Sequence, residues 1–365
     1  MSSISATSET LAPQTIARQN LGRWVLAIGS ALLATTVLIQ VLNAAGVLPL
    51  GLTDWRPLLY AFIVWGVALG VSRVLIHGEA GQQSLFVLPA LLFTIAMVIF
   101  PTIFGLYIAF TDWNLSGQGQ HFNGLDNFYQ MMADPYFWNA LLNMVYYVLA
   151  VLVQYAIAFG LALLLNADIV ARKFFRVSFL LPLMLSPVAV SWMIGKSLME
   201  SRYGPIASLA RSLGWEDPAF FANPWMAKLS IMAMDAWVSI PFIMILLLAG
   251  LQALPVEVRE AAKVDGANAW QSFWEITFPL MLPVSVTAIL LRIIFELKLA
   301  DIVINVTSGG PGGATDTVSS FIYREYRDRS NVGYATMLAE VYLVIIIVFV
   351  TLLLNFLSRY MRKVV

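Results

Sequence analysis

Residues 251–283 read LQALPVEVREAAKVDGANAWQSFWEITFPLMLP, a polar, helix-forming stretch held between two long apolar blocks. Pro255 suits the first position of a helix, where its missing N–H costs no hydrogen bond. Glu257 falls in the first turn, where an acid complements the helix dipole. Ala261 and Ala262 offer a small, smooth surface, and Gly266 supplies the permissive backbone that stops a helix sharply. The stretch therefore predicts a short helix outside the apolar phase, closed by glycine and led back by Pro279. Such a helix is well formed to be gripped by another protein.

The flanking blocks set the class. The chain has 365 residues, 60% hydrophobic and 12% charged, with a mean hydropathy of +0.80. A soluble domain of this size needs far more charge on its surface. About 20 apolar residues cross the hydrocarbon core as a helix, and eight blocks qualify: Trp24–Leu48, Leu58–Ile76, Leu85–Phe110, Trp138–Leu165, Phe174–Met199, Leu229–Leu251, Leu282–Val306 and Tyr334–Leu357. The expected fold is all-α, a polytopic membrane protein of about eight transmembrane helices. The first block reads as a span, since its apolar run and the polar Met1–Arg23 before it are both too long for a signal peptide. Met1–Asn20, rich in Ser, Thr and Ala, is predicted to be a disordered tail.

Basic residues orient the spans. Arg18 and Arg23, Arg73, Arg172 with Lys173 and Arg176, Arg259 with Lys263, and Arg359 with Arg362 and Lys363 all fall on one side. The loop before Trp138 has no Lys or Arg. The positive-inside rule then places both termini in the cytoplasm. Arg324, Arg327 and Arg329 run against the trend on the outer side.

Several classes are excluded. Lys+Arg and Asp+Glu balance at 21 each, so no net charge points to nucleic acid. With no cysteine there is no disulfide, thiolate metal site or Cys nucleophile. His77 and His121 lack a partner at metal-ligand spacing and read as loop histidines. No GxxxxGK[ST] is present to cradle a nucleotide. The glycine run Gly309–Gly313 lacks lysine and reads as a turn or a contact surface. A membrane-embedded enzyme would need a catalytic constellation, and no HExxH, GxSxG or paired-aspartate motif appears.

Glu260-Ala261-Ala262, three residues, Gly266, nine residues, then Ile276-Thr277-Phe278-Pro279 resembles the EAA loop of ABC importer permeases, with Phe278 in the place of a leucine. The fuller form, with Pro255 ahead and Asp265-Gly266-Ala267 within, resembles the carbohydrate branch typified by the maltose permease. The resemblance runs from about Phe86 to the C-terminus and includes Arg172-Lys173-Phe174-Phe175-Arg176, Leu181-Pro182, Thr307-Ser308-Gly309-Gly310-Pro311 and Gly333-Tyr334-Ala335. It implies a cytoplasmic tail at residues 1–23, two additional helices at 24–84 and a permease domain at 85–365 with its coupling loop at 252–281. Unlike the maltose-type subunit, this chain has no large periplasmic domain between the third and fourth spans.

The resemblance also implies a subunit of a sugar importer in the bacterial inner membrane, a transport component and not an enzyme. Its partners would be a second permease subunit, two cytoplasmic ATP-binding-cassette domains, a periplasmic or extracellular sugar-binding protein, and lipid. This chain would bind no cofactor, and ATP and Mg would sit on the ATPase partners. Glu260, Ala261, Ala262, Asp265, Gly266, Ile276 and Pro279 would couple to them. The binding protein would deliver sugar near Thr307–Ala314.

Charges inside spans are costly and default to function. Asp235, Ser239 and Phe242 share a face at i, i+4 and i+7, and Arg292, Glu296 and Leu299 repeat the spacing. By resemblance the sugar cavity is lined by Asp235, Val238, Ser239 and Phe242, by Phe295, Glu296 and Leu299, and by Ser186 within Leu183–Val188. The family presents neutral amides where Asp235 and Glu296 stand. Two readings of these carboxylates stay open. They accept sugar hydroxyls beside the aromatic walls Phe242 and Phe295, or they belong to buried pairs such as Arg292–Glu296 and Lys298–Asp301. A rival of another class, an ion-coupled secondary transporter, would use Asp235, Arg292 and Glu296 as a relay. The sugar is left open between a neutral saccharide, a polyol and an anionic derivative attracted by Arg292.

Overall fold

The computed structural model describes residues 13–44, 47, 54–117 and 120–364. Apart from two isolated β-bridges, the named elements are helices: α1 (Pro13–Ala44), α2 (Arg56–His77), α3 (Glu79–Ala109), α4 (Asp126–Ala133), α5 (Pro135–Asn166), α6 (Arg172–Met184), α7 (Pro187–Leu198), α8 (Pro205–Ser212), α9 (Pro224–Ala253), α10 (Val256–Val264), α11 (Ala269–Glu296), α12 (Asp301–Val306), α13 (Val318–Arg327) and α14 (Val332–Val364). Seven of them, α1, α2, α3, α5, α9, α11 and α14, are long and apolar enough to cross a membrane, and the bent pair α6–α7 makes an eighth. The all-α polytopic expectation holds. The tail expected over Met1–Asn20 is helical from Pro13; the residues before it lie outside the described residues, as does the end of the first expected span.

The chain divides into residues 1–104 and 105–365. In the first unit α1 and α2 run antiparallel and in close contact because small residues face each other. A Cβ on Gly29 of α1 would meet Ala68 of α2 at 2.7 Å; α3 packs as closely on α2, where a Cβ on Gly66 would meet Leu92 at 2.6 Å. Where lipid is as apolar as any side chain, this closeness supplies packing that hydrophobicity cannot. Trp65 Nε1 adds a hydrogen bond to Ser30 Oγ at 3.2 Å.

The second unit is built on α5, α9 and α11, with α9 laid along α5. Two buried apolar clusters occupy its length. One gathers Tyr147, Val151, Met234, Ile293, Val303 and Phe321; the other gathers Ala158, Phe159, Ile243, Leu247, Met281 and Ala288. On each of the three central helices a polar residue falls between the clusters: Gln154, Asp235 and Arg292.

Two expected spans are corrected. The block Phe174–Met199 is not a straight helix but α6 and α7, bent by 97°. Leu185 is extended, Pro187 opens α7 at a position that needs no N–H, and Ser186 Oγ accepts from Ala189 N–H at 3.2 Å as its cap. The block Leu282–Val306 is shifted: α11 begins at Ala269, inside the expected loop, and ends at Glu296. Asn268 and Gln271 form a reciprocal capping box at its start.

Proline also shapes the helices it does not end. Phe278 N–H reaches five residues back to Phe273 O, one residue before Pro279. The same widened turn stands before Pro101, where Phe100 N–H reaches Ile95 O. A proline ring clashes with the carbonyl four residues earlier, and a local π turn relieves it.

Candidate functional site

At the level between the clusters, Arg292 is the hub of a buried polar layer. Its Nη2 pairs with both Asp235 and Glu296, and its Nε donates to Gln154 Oε1 at 2.9 Å. Gln154 Nε2 in turn donates to Asp235 Oδ2 at 2.9 Å, and Ser239 Oγ reaches Asp235 Oδ1 at 3.5 Å. The side chains of Arg292, Asp235 and Glu296 are 4%, 9% and 1% exposed. Nearby, Tyr155 donates to Ser285 at 2.8 Å. The layer joins α5, α9 and α11 and carries two carboxylates for one guanidinium. Deep burial of such a cluster is tolerable only when each charge is paired.

This placement separates the candidate residues into groups. Asp235 and Glu296 come together on one guanidinium, inside the chain. Phe242 and Phe295 also come together, edge to face with ring centroids 5.7 Å apart, and Phe295 stays 53% exposed. Val238 and Ser239 are half-buried beside them in sequence, and Ser186 is exposed as the cap of α7. Leu299 leaves the face it was expected to share with Arg292 and Glu296. It lies beyond the end of α11, its N–H donating to Glu296 O at 2.9 Å, and it packs against the first apolar cluster. Sequence reasoning missed Gln154, an amide within a span. The intramembrane rule applied to charges alone passed over it.

The short helix expected to stop at Gly266 is present as α10. Gly266 has φ +79°, and Ala267 N–H reaches back to Ala262 O at 3.0 Å, closing α10 as a helix that ends in a left-handed residue does. Ala262 is buried, whereas Glu260, Ala261, Asp265 and Gly266 are exposed. Ile276 and Pro279 are half-buried in α11, in and after the widened turn. Val256 and Val264 expose 51% and 86% of their surface.

The glycine run Gly309–Gly313 is a packed turn. Asn139 and Asn143 both donate to Gly313 O, at 2.7 and 3.0 Å, and Tyr147 donates to Thr315 O at 3.0 Å. A Cβ on Gly309, at φ +84°, would fall on the Asp316 carboxylate. Asp316 pairs with Arg324, and Glu325 with Arg329, so two of the three arginines that break the positive-inside trend are tied to acids.

Burial pushes the Asp316 carboxyl up to about 6 from its ordinary 3.8, against the pull of Arg324. A folded value above the unfolded one means that the fold favours the proton. The resulting stability is present below about pH 4 and is lost as pH rises through about 6. Over that interval the purified wild-type protein is expected to lose thermal stability relative to Asp316→Asn, which removes the titration. Parallel pH profiles of Tm for the two proteins would show that the group does not titrate there.

The described residues thus form a set of helices long and apolar enough to cross a membrane, with a charged layer buried among three of them. Residues 125–365 match the family model described as binding-protein-dependent transport system inner membrane component. The chain is 33% identical over 273 residues to the sulfoquinovosyl glycerol transport system permease protein SmoG of Agrobacterium fabrum, covering 74% of this chain and 88% of that one. It is 30% identical over 251 residues to the trehalose/maltose transport system permease protein MalF of Thermococcus litoralis, covering 68% and 85%. The probable starch degradation products transport system permease protein AmyD of Thermoanaerobacterium thermosulfurigenes is 30% identical over 246 residues, covering 66% and 81%. A chain of a bacterial alginate ABC transporter, solved in complex with an alginate pentasaccharide-bound periplasmic protein, shares the fold with a TM-score of 0.67 at 22% identity, covering 77% of this chain and 95% of that one. The protein belongs to the family of binding-protein-dependent transport system inner membrane components and is an ABC transporter permease. These likenesses give no support to the ion-coupled alternative.

Proposed function

We propose that this chain is one permease half of an ATP-driven sugar importer. The observation that carries the reading is α10, an extramembrane helix with exposed valines and acids, closed at Gly266 in the loop whose spacing resembles that of importer permeases. An exposed apolar patch rimmed by charge marks a surface meant for a partner. That partner is a cytoplasmic ATP-binding-cassette domain holding ATP and Mg, gripped through Glu260, Ala261, Ala262, Asp265 and Gly266. Ile276 and Pro279 carry its movement into α11. Both termini then lie in the cytoplasm, and α1 and α2 stand outside the six-span permease core.

The relatives named above act on trehalose and maltose, starch degradation products or sulfoquinovosyl glycerol, and we extend to this chain the class they share, a saccharide. Val238, Ser239, Phe242 and Phe295 form its wall of the cavity, with a second permease supplying the other wall. The layer of Asp235, Arg292 and Glu296 frames that wall from behind.

Reconstitution with the second permease, the ATPase and the binding protein tests the reading. Sugar uptake into proteoliposomes is expected to require ATP and to survive a protonophore. Uptake driven by an ion gradient without ATP would overturn it.

A further inference from the structure

The half-span α7 carries a lysine, Lys196, close to its C-terminal end. One face of α7 is buried at Ser191 and Gly195, and Met199 just past its end is buried as well. A Cβ on Gly195 would meet Val306 at 2.8 Å and the Met234 sulfur at 3.3 Å. Met234 is ten residues along α9, about 15 Å from its start, so this part of α7 lies within the depth of the spans. The adjoining face is exposed. It presents Trp192, 60% exposed, and one turn on, Lys196. None of the ion pairs among the described residues includes Lys196.

An ammonium at that depth is not stable against hydrocarbon, and intramembrane cations face water-filled cavities or paired groups. Among the described residues no acid pairs with it: Glu200, one turn on, accepts instead from the Arg202 and Tyr203 N–H groups. Asp235 and Glu296 are already committed to Arg292, and by the same contacts Arg292 is closed to any anion from outside. Lys196 is thus an open cation of this region, with an indole beside it that offers a flat apolar face. A flat apolar face next to a fixed charge is the chemistry that holds a sugar ring and its acidic substituent together.

We propose that Lys196 and Trp192 form a selectivity site on the wall of the translocation pathway for the anionic group of an acidic saccharide. The proposal rests on the sugar-importer reading and narrows its substrate to saccharides bearing a carboxylate, sulfonate or similar group. Trp192 stacks on the ring and Lys196 pairs with the charge.

Because the chain has no cysteine, single thiols introduced here report accessibility without background from this chain. The experiment uses membrane vesicles carrying the assembled importer, with labelling read on this chain's own gel band. Two reagents are compared, anionic sulfonatoethyl methanethiosulfonate and cationic trimethylammonioethyl methanethiosulfonate. Lys196→Cys is expected to react with both, since the position faces water. Trp192→Cys is expected to favour the sulfonate reagent. Adding Lys196→Gln should lower that preference by at least about tenfold, the scale of one nearby charge in a partly screened site. Protection of Lys196→Cys from both reagents would place the residue against lipid or a carboxylate of the second permease and overturn the proposal. An unchanged preference after Lys196→Gln would overturn the anionic class. Neither result depends on what drives uptake, so failure of the importer reading would show itself separately, as ATP-independent transport.

Discussion

The Arg292→Met variant is expected to yield almost no folded protein in detergent extracts, although the substitution is close in length and apolar. The guanidinium is the one cation of its layer and touches Asp235, Glu296 and Gln154. Its removal strands two carboxylates, both nearly inaccessible, in the middle of the bundle. Breaking a buried pair by deleting one partner costs about 3–5 kcal/mol, and a typical domain holds only about 5–15 kcal/mol in total. Glu296→Gln should behave oppositely. It leaves Arg292 and Asp235 as a balanced pair, so yield should match wild type. Asp235→Asn with Glu296→Gln strands the cation instead and should fail again, while adding Arg292→Met to that pair should restore folding. Fluorescence-detected size exclusion of the four variants reads all of this. A well-folded Arg292→Met protein would show that the layer is hydrated and open, and the cavity reading of the carboxylates would regain its ground. Loss of transport in a fully assembled Glu296→Gln importer would do the same for Glu296 alone.

The contrast among these variants reflects what the sequence could and could not tell. Periodicity placed Asp235 with Ser239 and Phe242, and Arg292 with Glu296, because those spacings are local to one helix. Which helix face meets which is a tertiary fact, so the link from Arg292 to Asp235 was not visible and Gln154 went unnoticed. The helix α10 was legible almost residue by residue. Its stop, Gly266, and its exposed acids are dictated by backbone and solvent, not by distant packing. Breaks inside apolar blocks were harder. Leu181-Pro182 and Ser186-Pro187 are plain in the sequence, yet an uninterrupted apolar stretch of span length hides a 97° bend, since hydropathy measures the solvent and not the path. The start of α11 was legible in principle through Asn268 and Gln271, whose capping box signals a helix at Ala269. Leu299 was misplaced for the related reason that an i+7 step means nothing once the helix has ended at Glu296.

Gly266→Pro and Glu260→Lys are each expected to leave this chain inserted in the membrane and to abolish ATP hydrolysis stimulated by the sugar-loaded binding protein. At Gly266 the backbone stands at φ +79°, and proline is confined to about −65°. The turn that closes α10 must therefore rebuild, and with it goes the angle at which the helix meets its partner. Nothing lies within 4 Å of a Cβ at that position, so the rebuilding stays local to the turn and the membrane bundle should survive. Glu260 tests the chemistry rather than the shape. Its side chain is exposed and reversing its charge costs this chain little, whereas across an interface a like-charge contact costs several kcal/mol. A loss of that size lowers affinity for the ATPase about a hundredfold or more. Copurification of the ATPase with the permease pair, together with stimulated and basal hydrolysis rates, separates weakened docking from broken coupling. Gly266→Pro should keep partial docking and lose stimulation, because the helix remains but its mount has turned. Glu260→Lys should lose both. Full stimulation in both variants would mean that α10 does not transmit the ATPase stroke.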